Sequence, residues 1–183
     1  MPKPPDRRRE RSRTALMRAF VRIVLTEGYE AVTVDRVADE ADVGRSTFYM
    51  HYKGKEDILK ASMAHPSAPL AAMVGGEVAP EALLPILQHF QEQRRVNRVF
   101  FDWPIRPIWV RCLAETIEPK VAAAARRGRP VLPVRLIALQ IAEAQIALVA
   151  HWLTLSAGTK PEAVAVALVA ETQALLAALL RLR

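Results

Sequence analysis

The first sixty residues place apolar and polar positions at a helical period. From Thr14 to Gly28, apolar residues recur every three or four positions, which predicts an amphipathic helix that ends at the glycine. Thr33 stands at the N-cap position of a shorter helix over 34–41, and another helix is predicted over 45–51. Because a turn of three residues separates the last two, the pattern predicts a helix-turn-helix.

The rest of the chain also has helical periodicity. A fourth helix begins near Lys55, but prolines and glycines punctuate 63–80, and we place a domain boundary there. Beyond it, no strand pattern competes with four segments rich in alanine and leucine: 81–101, 108–127, 134–156 and 161–182. The sequence therefore predicts an all-α protein with one domain over 13–62 and a second over 63–183.

Charge adds a possible partner. The chain has 183 residues, of which 51% are apolar and 25% charged, a composition typical of a folded protein. Its formal net charge is +7, and the first thirteen residues hold six basic and two acidic side chains. We therefore predict a flexible basic arm over 1–12 and a polyanionic partner. Residues 1–62 hold 13 basic and 10 acidic residues, so net charge supports nucleic-acid binding only weakly.

Several classes of protein fit the sequence poorly. Cys112 is the single cysteine, so the chain lacks an internal disulfide framework, and the four histidines lack paired metal-ligand spacing. No glycine-rich phosphate loop or nucleophile motif is present. The longest unbroken apolar run is eight residues, short of a membrane span. We expect a cytoplasmic non-enzyme without a metal, a cofactor or membrane contact.

The third helix carries the strongest chemical signal. Its region is rich in hydrogen-bond donors and contains no acidic residue before Glu56: Arg45, Ser46, Thr47, Tyr49, His51, Lys53 and Lys55. DNA phosphates and base edges need such donors. In contrast, the second helix carries Asp35, Asp39 and Glu40, which phosphate would repel and which we expect to face away from DNA.

These residues, at this spacing, resemble a known domain. The resemblance covers about 13–62 and is carried by these residues: Thr33, Ala38, Ala41, Val43, Thr47, Phe48, Tyr49, Tyr52, Lys55, Glu56 and Leu59. This string resembles the N-terminal domain of the tetracycline-repressor (TetR) family. The resemblance implies a dimeric transcription regulator that binds double-stranded operator DNA and has a divergent ligand-binding C-terminal domain.

The resemblance also implies roles for individual residues. Thr33 and Lys55 would contact phosphates, whereas the residues that open the third helix would face bases and phosphates: Arg45, Ser46 and Thr47. Tyr49 and His51 would pack against the sugar-phosphate backbone. The chain departs from the family pattern at Asp42, Gly44 and Ser46. Aspartate tolerates a left-handed turn, and glycine is an acceptable N-cap.

The last two predicted helices suggest a homodimer. The final helix is apolar nearly all round, so it must be covered on more than one side. We predict a four-helix interface formed by two helices from each chain, with these candidates: Ile141, Leu148, Trp152, Leu168, Leu175, Leu176 and Leu179. The alternative is that the final helix is an ordinary buried helix of a monomer.

Aromatic residues around interrupted helices in the middle of the chain can line a cavity or form core. The candidates for a pocket are Phe90, Phe100, Phe101, Trp103 and Trp109.

We predict a repressor that a small apolar or aromatic effector releases from a palindromic operator. The alternatives are a regulator controlled by a protein partner or without a ligand, and a helical adaptor or enzyme that uses the motif for packing.

Overall fold

The computed structural model describes residues 7–76, 78–155 and 158–181, and these residues form helices and no strand. The all-α fold class predicted from the sequence is confirmed. The chain divides into two compact units between Met63 and Ala64.

The N-terminal unit begins with α1 (Arg7–Glu27), which a 3₁₀ turn (Tyr29–Ala31) connects to α2 (Val34–Glu40). The short α3 (Arg45–Tyr49) follows, and then α4 (Lys55–Ala72), which continues past the boundary between the units. The core of this unit consists of apolar residues that are almost fully buried: Leu16, Phe20, Val24, Val37, Phe48, Ile58 and Leu59.

The basic N-terminal segment is helical from Arg7 onward. The prediction of a flexible arm is therefore wrong for residues 7–12, and its part over 1–6 lies outside the described residues. Local contacts support the first two turns, since Arg13 pairs with Glu10 at 2.8 Å and the Thr14 hydroxyl donates to the Glu10 carbonyl. The arginines of this segment are consequently held on a helix.

Pro66 and Pro69 do not end α4, although we expected prolines to interrupt this region. A proline inside a helix removes one backbone hydrogen bond, at a cost of about 3 kcal/mol. Tertiary packing offsets that cost here, because Leu70 and Ala71 are almost completely buried. The Gln145 side-chain amide also donates to the Leu70 carbonyl, which lies in the last turn of the helix.

The first predicted helix of the C-terminal unit is broken into pieces. A 3₁₀ turn (Pro80–Leu83) leads into α5 (Leu84–Glu92), and α6 (Arg94–Asn97) leads into a second 3₁₀ turn that ends at Phe101. The break directs the Arg94 side chain to the Leu153 carbonyl and buries Asn97, whose amide donates to the carbonyl of His89. The prediction of one helix over 81–101 is wrong because these tertiary and local polar contacts outweigh local periodicity.

The other three helices of this unit are long. They are α7 (Ile105–Ala125), α8 (Val134–Leu155) and α9 (Pro161–Leu180). After α7 the chain passes the end of α9, where the backbone amides of Arg129 and Val131 donate to the carbonyls of Leu180 and Leu179. These bonds satisfy carbonyls that the end of a helix leaves without partners.

α8 and α9 are long and apolar enough, by length and composition, to cross a membrane. Within the chain, however, they pack against each other, and the buried Gln145 amide donates to the Thr172 hydroxyl at 3.0 Å. We interpret them as core helices of the C-terminal unit. α9 is less covered than α8, since 33% of its most apolar stretch is buried, against 56% for α8.

Candidate nucleic-acid interface

The helix-turn-helix is built from local signals and a shared core. The Thr33 hydroxyl accepts a hydrogen bond from the Arg36 amide and so caps α2. Asp42 adopts φ = 52° in the turn, the left-handed conformation that aspartate tolerates, and Gly44 is the N-cap of α3. Phe48 is fully buried and thereby fixes the inner face of α3.

The other side chains of α3 are more open to solvent than Phe48. Arg45, Ser46 and Tyr49 are exposed, whereas Thr47 is partly buried. Met50, which follows the helix, is 62% exposed, unusually high for a large apolar side chain. Sequence reasoning did not single it out, because methionine next to an apolar core suggests packing. α3 and the methionine that follows it thus expose a guanidinium, hydroxyls and one apolar group.

His51 connects this region to α1. Its Nε2 lies 2.8 Å from the Ser12 hydroxyl oxygen, and that hydroxyl donates to the Arg9 carbonyl. Partial burial lowers the pKa of His51, and the nearby charges of Arg9 and Arg13 lower it further. The contact holds the basic first turns of α1 beside the end of α3, a pairing across 39 residues for which the sequence carries no local signal.

Lys55 is oriented by aromatic and acidic neighbours. Its Nζ lies 4.8 Å from the centre of the Tyr29 ring and 3.9 Å from a carboxylate oxygen of Glu30. Burial, with smaller effects of Glu56 and Glu30, raises the pKa of Tyr29 to about 12, so this ring stays neutral. A cation over a neutral aromatic face is favourably placed, and here it stands at the first position of α4.

The acidic residues of α2 differ in their surroundings. Glu40 pairs with Arg22 of α1 at 2.8 Å. Asp35, however, pairs with Arg45 of α3, with 2.9 Å between a carboxylate oxygen and Nη1. We expected all three acidic residues to face away from the DNA-binding surface, but Asp35 lies beside Arg45, one of the predicted DNA-contacting residues.

The N-terminal unit matches a known family. The family described as bacterial regulatory proteins, tetR family, matches residues 16–62. This domain belongs to the TetR family. The match includes all of α2 and α3 and the start of α4, and the resemblance inferred from the sequence is confirmed.

A curated relative matches part of the chain. The transcriptional regulator TcmR of Streptomyces glaucescens is 35% identical over 82 residues, which are 44% of this chain and 35% of TcmR. The chain thus spans about a third of the length of this curated relative.

Solved structures extend the similarity to the whole fold. A TetR regulator from Streptococcus agalactiae has a TM-score of 0.59 and 24% identity, with coverage of 91% of this chain and 96% of that one. Thermus thermophilus FadR, a TetR-family repressor solved in complex with lauroyl-CoA, has a TM-score of 0.51 and 16% identity, with coverage of 90% and 92%. At these identities the shared property is the fold of a TetR-family regulator.

In the C-terminal domain that accompanies the TetR-family domain, three of the five aromatic pocket candidates form one buried cluster. The Phe101 and Trp109 rings lie 4.6 Å apart, and Phe90 meets Phe101 edge-on at 5.3 Å. Phe100 is only partly buried, and Trp103 is 79% exposed. The structure therefore does not bring Trp103 into a pocket with the other rings within this chain.

Two buried polar groups lie in this domain, one on Trp109 of α7 and one on Gln145 of α8. Trp109 Nε1 donates to the Ser67 hydroxyl of α4 at 2.9 Å. Gln145 uses its amide nitrogen for Leu70 and Thr172, while its buried Oε1 has no hydrogen-bond partner among the described residues. Buried polar atoms usually have a hydrogen-bond partner, so this oxygen keeps an unused capacity to accept one.

The predicted dimer residues divide into two groups. Four lie in the core of their own chain and are almost fully buried: Ile141, Trp152, Leu168 and Leu176. A side chain enclosed by its own subunit offers little surface to a partner, so the interface prediction rests on the other three candidates. Leu148, Leu175 and Leu179 remain partly exposed, and Val166 of α9 is 57% exposed.

Proposed function

We propose that the protein is a transcription regulator that binds operator DNA as a homodimer and that α3 is its recognition helix. The observation that carries this proposal is the arrangement of α3. Phe48 anchors one face in the core, and Arg45, Ser46 and Tyr49 stand exposed on the helix. A helix held in this way can enter the major groove while α2 braces it.

The proposed contacts follow from the donors that each side chain offers. Arg45 would read a base edge, since a guanidinium can donate two parallel hydrogen bonds to guanine. The Thr33 oxygen accepts from the Arg36 amide, which leaves its O–H group to donate to a phosphate. Lys55 would neutralise another phosphate, and Tyr49 and His51 would contact the backbone of the same groove.

The test combines selection with two variants. Bound sequences selected from random duplex DNA should form a palindrome. Arg45→Ala should reduce affinity for the selected site by about 5- to 150-fold, the range for a bidentate base contact, and relax preference at one position per half-site. Lys55→Ala should instead weaken all duplexes and reduce the salt slope of binding by about 0.9.

Arg135→Ala is the matched control, because this exposed cation of α8 lies in the C-terminal domain, where it pairs with Glu118 of α7. It should change neither affinity nor preference. If Arg45→Ala and Lys55→Ala behaved like this control at physiological salt, α3 would not be the recognition helix.

The proposed dimer is supported by the outer face of α9. Six of the ten exposed positions of this helix are alanines, and the other four are Val166, Glu162, Glu171 and Gln173. Small side chains let two helices approach closely, and a two-fold interface presents the same face twice. Such a dimer would set two recognition helices about 34–36 Å apart, the spacing of successive major grooves.

We further propose that the regulator is a repressor and that a small apolar or aromatic effector releases it from DNA. The buried rings of Phe90, Phe101 and Trp109 offer an apolar surface, and Gln145 Oε1 offers an acceptor. An effector that prefers the DNA-free conformation must weaken DNA binding by its differential affinity, commonly about 1–3 kcal/mol.

Fluorescence anisotropy of labelled operator can test this proposal in a screen of aromatic compounds and fatty acyl thioesters. The latter class includes the ligand named for the Thermus FadR structure. Trp109→Phe keeps a buried ring and should alter the response, whereas Trp103→Ala at the surface should not. If no compound in a broad apolar and anionic screen changes operator affinity, effector control is rejected.

A further inference from the structure

Asp35 occupies an unexpected place for a residue of a DNA-binding surface. It lies in the first turn of α2, and its carboxylate reaches across the turn to α3. Both oxygens are near Nη1 of Arg45, at 2.9 and 3.2 Å. The two side chains remain 57% and 62% exposed, so a phosphate or a base edge could reach the same guanidinium.

This ion pair contributes little to folding. Exposed pairs of this kind typically stabilise a protein by about 0–1 kcal/mol, because water and salt screen the attraction. Its larger effect is on the guanidinium, whose position it restricts. A hydrogen bond with Tyr49 and then the charge of Asp35 raise the pKa of Arg45, which therefore stays charged.

A carboxylate in this position also repels phosphate. Any duplex that approaches Arg45 brings its negative backbone near Asp35, and phosphate neutralisation supplies most of non-specific affinity. A base edge that accepts two hydrogen bonds offers Arg45 a defined geometry. A phosphate of non-operator DNA does not offer that geometry. The carboxylate therefore opposes indiscriminate binding, while it keeps the guanidinium oriented for one arrangement of acceptors.

We propose that Asp35 is a specificity-determining residue that positions Arg45 and suppresses its contacts with the phosphates of non-operator DNA. This inference rests on the proposed function, because it assumes that α3 reads DNA. It gives Asp35, an acidic residue of α2, a role in DNA recognition. Removal of the charge should thus increase total DNA affinity and decrease sequence preference at the same time.

The experiment measures the dissociation constants of the full-length protein for its selected operator and for a random duplex of equal length, across a salt titration. Asp35→Asn should tighten random-duplex binding by about fivefold at 0.15 M salt, the effect of one added phosphate contact. It should also lower the ratio of operator to random affinity by at least about fivefold, the lower limit of a bidentate base contact. Asp35→Glu, which restores the charge, should recover part of this ratio.

Asp39→Asn is the matched control, because it removes the same charge from an exposed position one turn later in α2. It should leave the ratio unchanged. A double-mutant cycle then tests whether Asp35 acts through Arg45. In an Arg45→Ala background, Asp35→Asn should no longer alter the ratio.

Three results would overturn the inference: an unchanged ratio in Asp35→Asn, an equal fall in Asp39→Asn, or a fall that persists without Arg45. Circular dichroism of each variant shows that a change does not come from unfolding. Failure of the proposed function has a different signature, since the wild-type protein would then show no preference among duplexes.

Discussion

Arginine substitutions at two positions of α9 can distinguish its outer face from its buried face. Val166 is 57% exposed and Leu176 is 3% exposed, although both are large apolar residues of the same helix. A dimer that uses the outer face would bury Val166 against the partner. Val166→Arg should then prevent association but preserve the fold of each subunit, whereas Leu176→Arg should unfold the C-terminal domain.

The magnitudes follow from burial. A substitution at a surface site normally changes the free energy of unfolding by about 0.5 kcal/mol or less. An unpaired charge in an apolar interface costs about 3–5 kcal/mol, and two-fold symmetry introduces it twice. The resulting penalty of about 6–10 kcal/mol would raise the dimer dissociation constant by at least about 10⁴-fold. A nanomolar dimer would thus be monomeric at micromolar concentration.

Sedimentation velocity at micromolar concentration gives the oligomeric state, and far-UV circular dichroism gives the helix content. Ala122→Arg, at an exposed position of α7, is the control for the insertion of an arginine into a helix surface. The reasoning fails if Val166→Arg remains dimeric, if the wild-type protein is a monomer, or if Leu176→Arg keeps a native melting transition.

Two further predictions concern the N-terminal domain. Thr33→Ala should lower the free energy of unfolding by about 1 kcal/mol because it removes the α2 cap, while Thr33→Ser should retain it; equal losses in urea titrations would exclude the cap as the cause. His51 has a folded pKa below its ordinary 6.5, so the unfolded state binds the extra proton. The free energy of unfolding should therefore decrease as the pH falls below about 6.5 and be regained above it. Urea titrations between pH 5 and 8 can measure this component, which His51→Gln should remove; an unchanged pH dependence in that variant would contradict the assignment.

The helix-turn-helix is predictable from the sequence because the signals for it are local. Thr33 marks the start of α2, Phe48 supplies the anchor of α3, and the substitutions at Asp42 and Gly44 are compatible with the turn, as their backbone conformations confirm. Each of these features depends on residues within a few positions of one another. The family resemblance depends on the same short range.

Other features depend on residues that are distant in sequence and meet only in the folded chain. α4 continues through Pro66 and Pro69 because its end is buried and receives a hydrogen bond from Gln145, 75 residues further along the chain. The helix predicted over 81–101 breaks where Arg94 reaches Leu153. Local propensity cannot include such contacts, since they form only when the helices have packed.

Packing also decides which face of α9 is covered. This helix is apolar on nearly every side, so periodicity could not separate core residues such as Leu176 from exposed ones such as Val166. The pairing of Asp35 with Arg45 has the same origin, because charge type along the chain gives no distance between α2 and α3. Sequence periodicity reveals the buried side of a helix when apolar residues line one side and polar residues line the other. When both sides are apolar, only the neighbours in the folded chain decide which side is covered.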